Sequence, residues 1–239
     1  MGMPVSVEIA DSSAEENMFN EVFSYFDYVD GKFSIYKEES EISKINRKEL
    51  DEKDASADMR EIFALSEKTN KETKGYFDIK TPEGKYDPSG LVKGWAIFNA
   101  AKIISKAGLH NFYVEAGGDI QTSGKNEKGE PWRVGIRDPF KKDEIVKVIA
   151  VSGEGVATSG IYERGEHIYN PKTGGVPKDV ASLTVVGPDI YEADRFATAA
   201  FAMGADGINF IEGLRGFGGY MIDYKGIATM TSGFKKYIV

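Results

Sequence analysis

At Gly108 the chain changes its period. Across residues 91–107 the apolar side chains of Val92, Ala96, Ala100, Ile103 and Ile104 recur along one stripe of a helix, and Gly108 supplies its stop. Beyond it the pattern becomes a series of short runs rich in Val and Ile: FYVEA, WRVGI, VKVIAV, EGVATS, HIYN and SLTVVG. Gly, Pro or Asp punctuates them, as expected of strands in a mostly antiparallel sheet system. Upstream, alternation predicts a strand at residues 5–9, and apolar spacing predicts a helix over residues 14–29. Ser40 is placed to cap a short helix ending at Asn46. Ser56 is placed to cap a longer one in which Met59, Ile62 and Phe63 share a face. A helix over residues 191–203 and a shorter one after Asp206 precede a closing hairpin, GGYMIDYKGIATMT, turning at Tyr224, Lys225 and Gly226, so the chain is expected to end in a strand pair. No internal repeat or linker rich in Pro or Ser interrupts this order. The expectation is one α+β domain over residues 1–239, with mostly antiparallel sheets and packed helices.

Composition narrows what such a domain can bind. A length of 239 residues supports a substantial core, and 41% hydrophobic with 28% charged residues excludes a disordered chain. The formal charge of −8, with no run of Lys and Arg interleaved with aromatics, argues against a nucleic-acid partner. A phosphate-bearing small ligand would need local help from a cation. The absence of cysteine excludes disulfides and thiolate metal sites, so a metal would meet oxygen ligands. There is no apolar run of about 18 residues, and MGMPVSVEIA has neither a basic n-region nor an apolar h-region. As written, the sequence is expected to be cytoplasmic, or exported if a leader has been removed.

Several clusters have the residue types for chemistry. In YDPSGLVKGWAIF, Asp87, Ser89, Gly90 and Lys93 lie just before and inside the first turn of a helix, where free N–H groups face anions. The same pattern also describes a capped helix with a solvated lysine. In YEADRFATAAFAMG, Asp194 and Thr198 stand four apart on one helical face, a carboxylate and a hydroxyl that suit a hard cation such as Mg²⁺. An exposed Asp beside a Thr bonded to its own helix reads the same way. The glycines of VEAGGDI, before Asp119, permit close backbone approach or a β-bulge. Tyr36, in GKFSIYKEESEISKIN, suits either stacking on a ring or covering the core. One of the two histidines, His167, sits in ATSGIYERGEHIYNPKTGG, amid glycines and small hydroxyl residues.

Taken in order, MGMPVSVEI, FSIYKEESEISKIN, GYFDI, DPSGLVKGWA, VEAGGDI, WRVGIRDP, VATSG, HIYNPKTG and EADRFATAAFAMG resemble the ApbE family of FAD:protein FMN transferases over nearly the whole chain. The resemblance implies that Met1, Tyr36, Tyr76, Phe77, Asp78, Asp87, Lys93, His167 and Ile168 contact FAD. It also implies that the Gly90 carbonyl, Asp194 and Thr198 hold Mg²⁺. Asn170 stands where the family commonly has Asp, and Ser89 where Gly is frequent. The family is largely exported, often on a lipid-bearing Cys that this chain lacks.

The implied activity is transfer of FMN from FAD to a Ser or Thr hydroxyl of an acceptor protein, releasing AMP. A membrane would be involved only indirectly, through the acceptor. Such phosphoryl-type transfer needs charge neutralised on the pyrophosphate and the reacting atoms held in line. His167, with an ordinary pKa of about 6.5, is the candidate base, and Asp194 could share the role. Two alternatives are a pyrophosphatase that splits FAD with water into FMN and AMP, and a protein that binds FAD without catalysis.

Overall fold

The structure is a computed structural model that describes residues 2–141, 144–160 and 168–239. Strand β1 (Val5–Ile9) leads into α1 (Glu16–Phe33), α2 (Glu41–Asn46), α3 (Ala57–Glu72) and α4 (Ser89–Lys106). Five strands follow: β2 (Phe112–Ala116), β3 (Asp119–Ser123), β4 (Trp132–Arg137), β5 (Ile145–Val151) and β6 (Gly155–Gly160). The chain continues through β7 (Ser182–Gly187), α5 (Ile190–Ala202), α6 (Gly207–Glu212), β8 (Gly218–Ile222) and β9 (Ala228–Met230). None of these helices is long and apolar enough to cross a membrane.

Local chemistry accounts for the helix starts and faces. Ser40 Oγ accepts the Ser43 N–H at 3.2 Å and Ser56 Oγ accepts that of Met59 at 3.4 Å, the two caps expected from sequence. Such a cap stabilises a helix by about 1 kcal/mol. Helix α1 buries Val22, Phe26, Val29 and Phe33, one stripe at helical spacing, against α4 and α2. Helix α4 buries far more than a stripe. Leu91, Val92, Trp95, Ala96, Ile97, Ala100, Ala101 and Ile104 are all covered, because α1, α5 and β2 enclose it. Each large aliphatic side chain fully buried here contributes roughly 1.5–3 kcal/mol relative to exposure.

The strands form an antiparallel sheet in the order β1-β2-β3-β6-β7-β8-β9, and β4 and β5 form a separate antiparallel ribbon. The helices cover one face of the large sheet. On the other face, Trp132 and Ile136 of β4 and Ile149 and Val151 of β5 pack on Val156, Val186, Tyr220 and Ile222. The interior strand β7 is therefore buried along its whole length, which explains why SLTVVG shows no alternation.

Three local expectations are corrected. Of the run HIYN, His167 lies outside the described residues and residues 168–170 form no strand. Residues 168–170 are irregular and feed a turn in which Asn170 Oδ1 accepts the Lys172 N–H at 2.9 Å and Asn170 O accepts the Gly174 N–H at 2.8 Å. Of the two readings of Gly117 and Gly118, the bulge does not form, whereas close approach does, a Cβ at Gly117 lying 2.8 Å from Met3 Sδ. Both glycines have positive φ, 57° and 86°, and they form the two-residue turn joining Ala116 to its pairing partner Asp119. That turn starts β3, a strand not anticipated from the sequence. The β8–β9 hairpin forms as expected, but the chain ends in a 3₁₀ turn, Ser232–Tyr237, whose Phe234 and Tyr237 close the second core.

Candidate functional site

The site begins where two helices come unusually close. A Cβ at Gly94 of α4 would lie 2.7 Å from Asp194 Cβ and 2.8 Å from the Ile190 carbonyl oxygen of α5, so only glycine fits the crossing. The proximity lets the Gly94 N–H donate to Asp194 Oδ2 at 2.8 Å. One turn toward the start of α4, the Gly90 carbonyl lies 3.4 Å from Thr198 Oγ1. Asp194 and Thr198 thus share a face of α5, and that face looks at Gly90.

These donors have the chemistry of a hard-cation site: one carboxylate, one hydroxyl and one carbonyl. The 3.4 Å between Gly90 O and Thr198 Oγ1 is close to the spacing of about 3 Å between adjacent oxygens around Mg²⁺. Among the described residues no cluster of three or more His, Asp or Glu side chains could hold a metal, so a cation here would depend on the carbonyl and hydroxyl as well as on Asp194.

A buried charge cluster adjoins these oxygens. Lys93 Nζ is 2.7 Å from Asp119 Oδ2 and 3.7 Å from Asp194 Oδ1, while Asp119 Oδ1 accepts the Thr158 N–H of β6 at 3.0 Å. Asp119 and Asp194 are only 1% and 2% exposed. Burial pushes the Asp194 carboxyl up to about 8. Lys93 opposes that rise, and the Asp119 charge adds to it. With both carboxylates ionised, the Asp119, Asp194 and Lys93 side chains together carry one negative charge in excess, and a divalent cation would offset it and favour the ionised form of Asp194.

Tyr76, Phe77, Asp78, Asp87, Gly90, Lys93, Ile168, Asp194 and Thr198 all line one cavity. The irregular segment at residues 76–78 is fixed through Phe77. Its N–H donates to Thr73 Oγ1 at 3.1 Å, and its carbonyl accepts from Asn70 Nδ2 at 2.8 Å. Asp87 Oδ1 accepts the Ser89 N–H at 3.0 Å, setting the first turn of α4. Lys172 Nζ stands 3.9 Å from the centre of the Tyr76 ring, and Ile168, Tyr169 and Pro171 just before it line the cavity.

Tyr36 belongs to a second cavity, which shares Asp87, Ser89 and Lys93 with the first. Its volume is about 520 Å³, within the range of roughly 300–1,000 Å³ typical of small-molecule sites. Tyr36 is 89% exposed, so it covers no core and its ring is free to stack. Met1 and His167 lie outside the described residues. Three contributors were not singled out as site residues by the sequence reading: Gly94, Asp119 and Thr158. For Asp119 a signal existed in the paired glycines before it, but its partner Lys93 lies on a distant element.

The fold and site define a mixed helix and sheet protein with an oxygen-lined, anionic pocket beside a lysine at a helix start. The chain belongs to the ApbE family: the family's model matches residues 1–83 and 80–221. It is 29% identical over 183 residues to the FAD:protein FMN transferase of Escherichia coli, a match covering 71% of this chain and 52% of that protein. It is 26% identical over 274 residues to the protein of the same name from Haemophilus influenzae, covering 86% of this chain and 79% of that one. The chain thus spans about half the length of the first of these relatives. Among solved structures, the flavin transferase ApbE of Vibrio cholerae superimposes with a TM-score of 0.85 at 23% identity, covering 100% of this chain and 96% of that one. The ApbE protein of Thermotoga maritima gives 0.87 at 22%, with 100% and 96% covered. These two likenesses establish the mostly antiparallel α+β fold.

Proposed function

We propose that this chain transfers FMN from FAD to a Ser or Thr hydroxyl of an acceptor protein, with AMP as the leaving group and Mg²⁺ as cofactor. The observation that carries the reading is the convergence of the Gly90 carbonyl, Asp194, Thr198 and Lys93 on one cavity. The names of the curated relatives support the same chemistry.

The reaction breaks the pyrophosphate P–O–P bond of FAD and forms a bond between the acceptor oxygen and the FMN phosphorus. The acceptor proton passes to a base, and the released oxygen leaves with AMP. Bound Mg²⁺, held by Gly90, Asp194 and Thr198, would supply charge neutralisation for the pyrophosphate. Lys93, one turn into α4, adds a positive charge on the same side, and the free N–H groups of the first turn favour anions. Tyr36 offers a ring face to the flavin or adenine. Tyr76, Phe77, Asp78, Asp87 and Ile168 shape the pocket around the dinucleotide. His167 is the proposed base, on the strength of the family resemblance of the HIYNPKTG segment.

The test is incubation of the protein with FAD and Mg²⁺, with and without a candidate acceptor. AMP release that requires the acceptor, together with a fluorescent covalent flavin band, is the expected result. Equal AMP and FMN release without acceptor would replace the transferase by a pyrophosphatase. Stable retention of intact FAD would leave only a binding protein.

A further inference from the structure

Asp119 has an arrangement that the proposed chemistry does not use. It is the first residue of β3, fixed there by the turn at Gly117 and Gly118, and it is almost completely buried. One oxygen is occupied by the Thr158 N–H at 3.0 Å, and the other meets Lys93 Nζ at 2.7 Å. The same ammonium stands a full ångström farther, 3.7 Å, from Asp194 Oδ1. Lys93 therefore sits between two carboxylates and is held by the one that does not belong to the oxygen cluster of Gly90 and Thr198.

We propose that Asp119 is a positioning residue that keeps the Lys93 ammonium off Asp194, so that Asp194 remains available to a divalent cation and Lys93 stays turned toward the ligand's phosphates. The inference rests on the reading of Gly90, Asp194 and Thr198 as cation ligands. Its physical basis is competition. An ammonium and a divalent cation draw on the same carboxylate, and burial strengthens whichever pairing forms. With Asp119 charged, the ammonium has a better partner than Asp194. Without that charge, Asp194 becomes the nearest carboxylate to Lys93 among the described residues, and an internal lysine replaces the metal.

The substitution Asp119→Asn removes the charge while keeping an oxygen to accept the Thr158 N–H, so the strand pairing has no reason to change. The experiment is titration of the 239-residue chain with Mn²⁺, followed by the electron paramagnetic resonance signal of the free ion, for five proteins: wild type, Asp119→Asn, Asp119→Glu, Lys93→Met and the Asp119→Asn, Lys93→Met double variant. Melting temperatures confirm that each is folded. The expected result is a Kd for Mn²⁺ raised about 10–100-fold in Asp119→Asn, the range seen when partners of metal ligands are removed. The effect should vanish in the Lys93→Met background, where no ammonium competes, and Asp119→Glu should recover part of the affinity. An unchanged Kd in Asp119→Asn would overturn the proposal, and so would a loss of equal size with and without Lys93. Wild-type protein that binds no Mn²⁺ would overturn the cation-site reading itself, and this inference with it.

Discussion

The Gly94 N–H of α4 donates to Asp194 Oδ2 of α5 at 2.8 Å, across a crossing so close that a Cβ at Gly94 would lie 2.7 Å from Asp194 Cβ. The contact that permits the helices to pack is the one that orients the carboxylate. Packing and chemistry share one residue.

Gly94→Ala is therefore expected to act on both. The added methyl must push α5 away, at a cost of about 1–3 kcal/mol for overpacking. Transfer should fall by more than the stability loss explains, because Asp194 moves away from Gly90 and Thr198. Urea unfolding and kcat on the same preparation measure the two effects. Wild-type values for both would show that the crossing relaxes freely.

Asp194 should also leave a signature in stability against pH. Its folded-state pKa is raised from the ordinary 3.8 to about 8, chiefly by burial. The native state then holds a proton that the unfolded chain has lost between those two values, so this group's contribution to stability rises as pH falls through that window. Above it the carboxylate is charged in both states, and the burial cost is felt in full. In metal-free protein, Asp194→Asn should flatten this part of the profile, measured by denaturant unfolding at several pH values. An unaltered slope would show that Asp194 is not the titrating group.

Much of this site is legible in the sequence because it is carried by local spacing. Asp194 and Thr198 fall four apart in a clearly periodic helix, and Lys93 falls near the start of another, so their faces follow from the helical repeat alone. The parts that escape depend on contacts between distant elements. Asp119 gains its meaning from Lys93, and a glycine such as Gly94 reads only as a weak spot in a helix until the partner helix is placed against it. The run HIYN misleads because Ile and Tyr favour strands, whereas Asn170 and Pro171 turn the chain. Tyr36 could have served the core or a ligand, and only its exposure separates the two.

Exposure makes the Tyr36 prediction sharp. Tyr36→Ala should weaken FAD binding by about 1–3 kcal/mol, the worth of a lost aromatic stack, while the melting temperature stays unchanged. Flavin fluorescence titration and thermal unfolding are the measurements. A drop in melting temperature with intact affinity would contradict the assignment.

For His167, the proposed role separates chemistry from binding. His167→Asn should lower transfer by roughly 10²–10⁴-fold while FAD and Mg²⁺ still bind. A base must be unprotonated to act, so the wild-type rate should fall on the acid side of the profile, and the mutant should lose that acid limb. An acid limb that persists would move the base elsewhere, with Asp194 next to test. FAD affinity falling in step with activity would make His167 a wall of the pocket instead.

The most direct measurement is covalent flavin on an acceptor protein as a function of Mg²⁺ concentration, read as in-gel fluorescence for wild type and Asp194→Asn side by side. The account predicts a saturable, Mg²⁺-dependent band for the wild type and no band above background for the folded mutant at any Mg²⁺ concentration. A mutant that labels the acceptor at the wild-type rate, with the same Mg²⁺ dependence, would contradict the claim that Gly90, Asp194 and Thr198 hold the cation for this reaction.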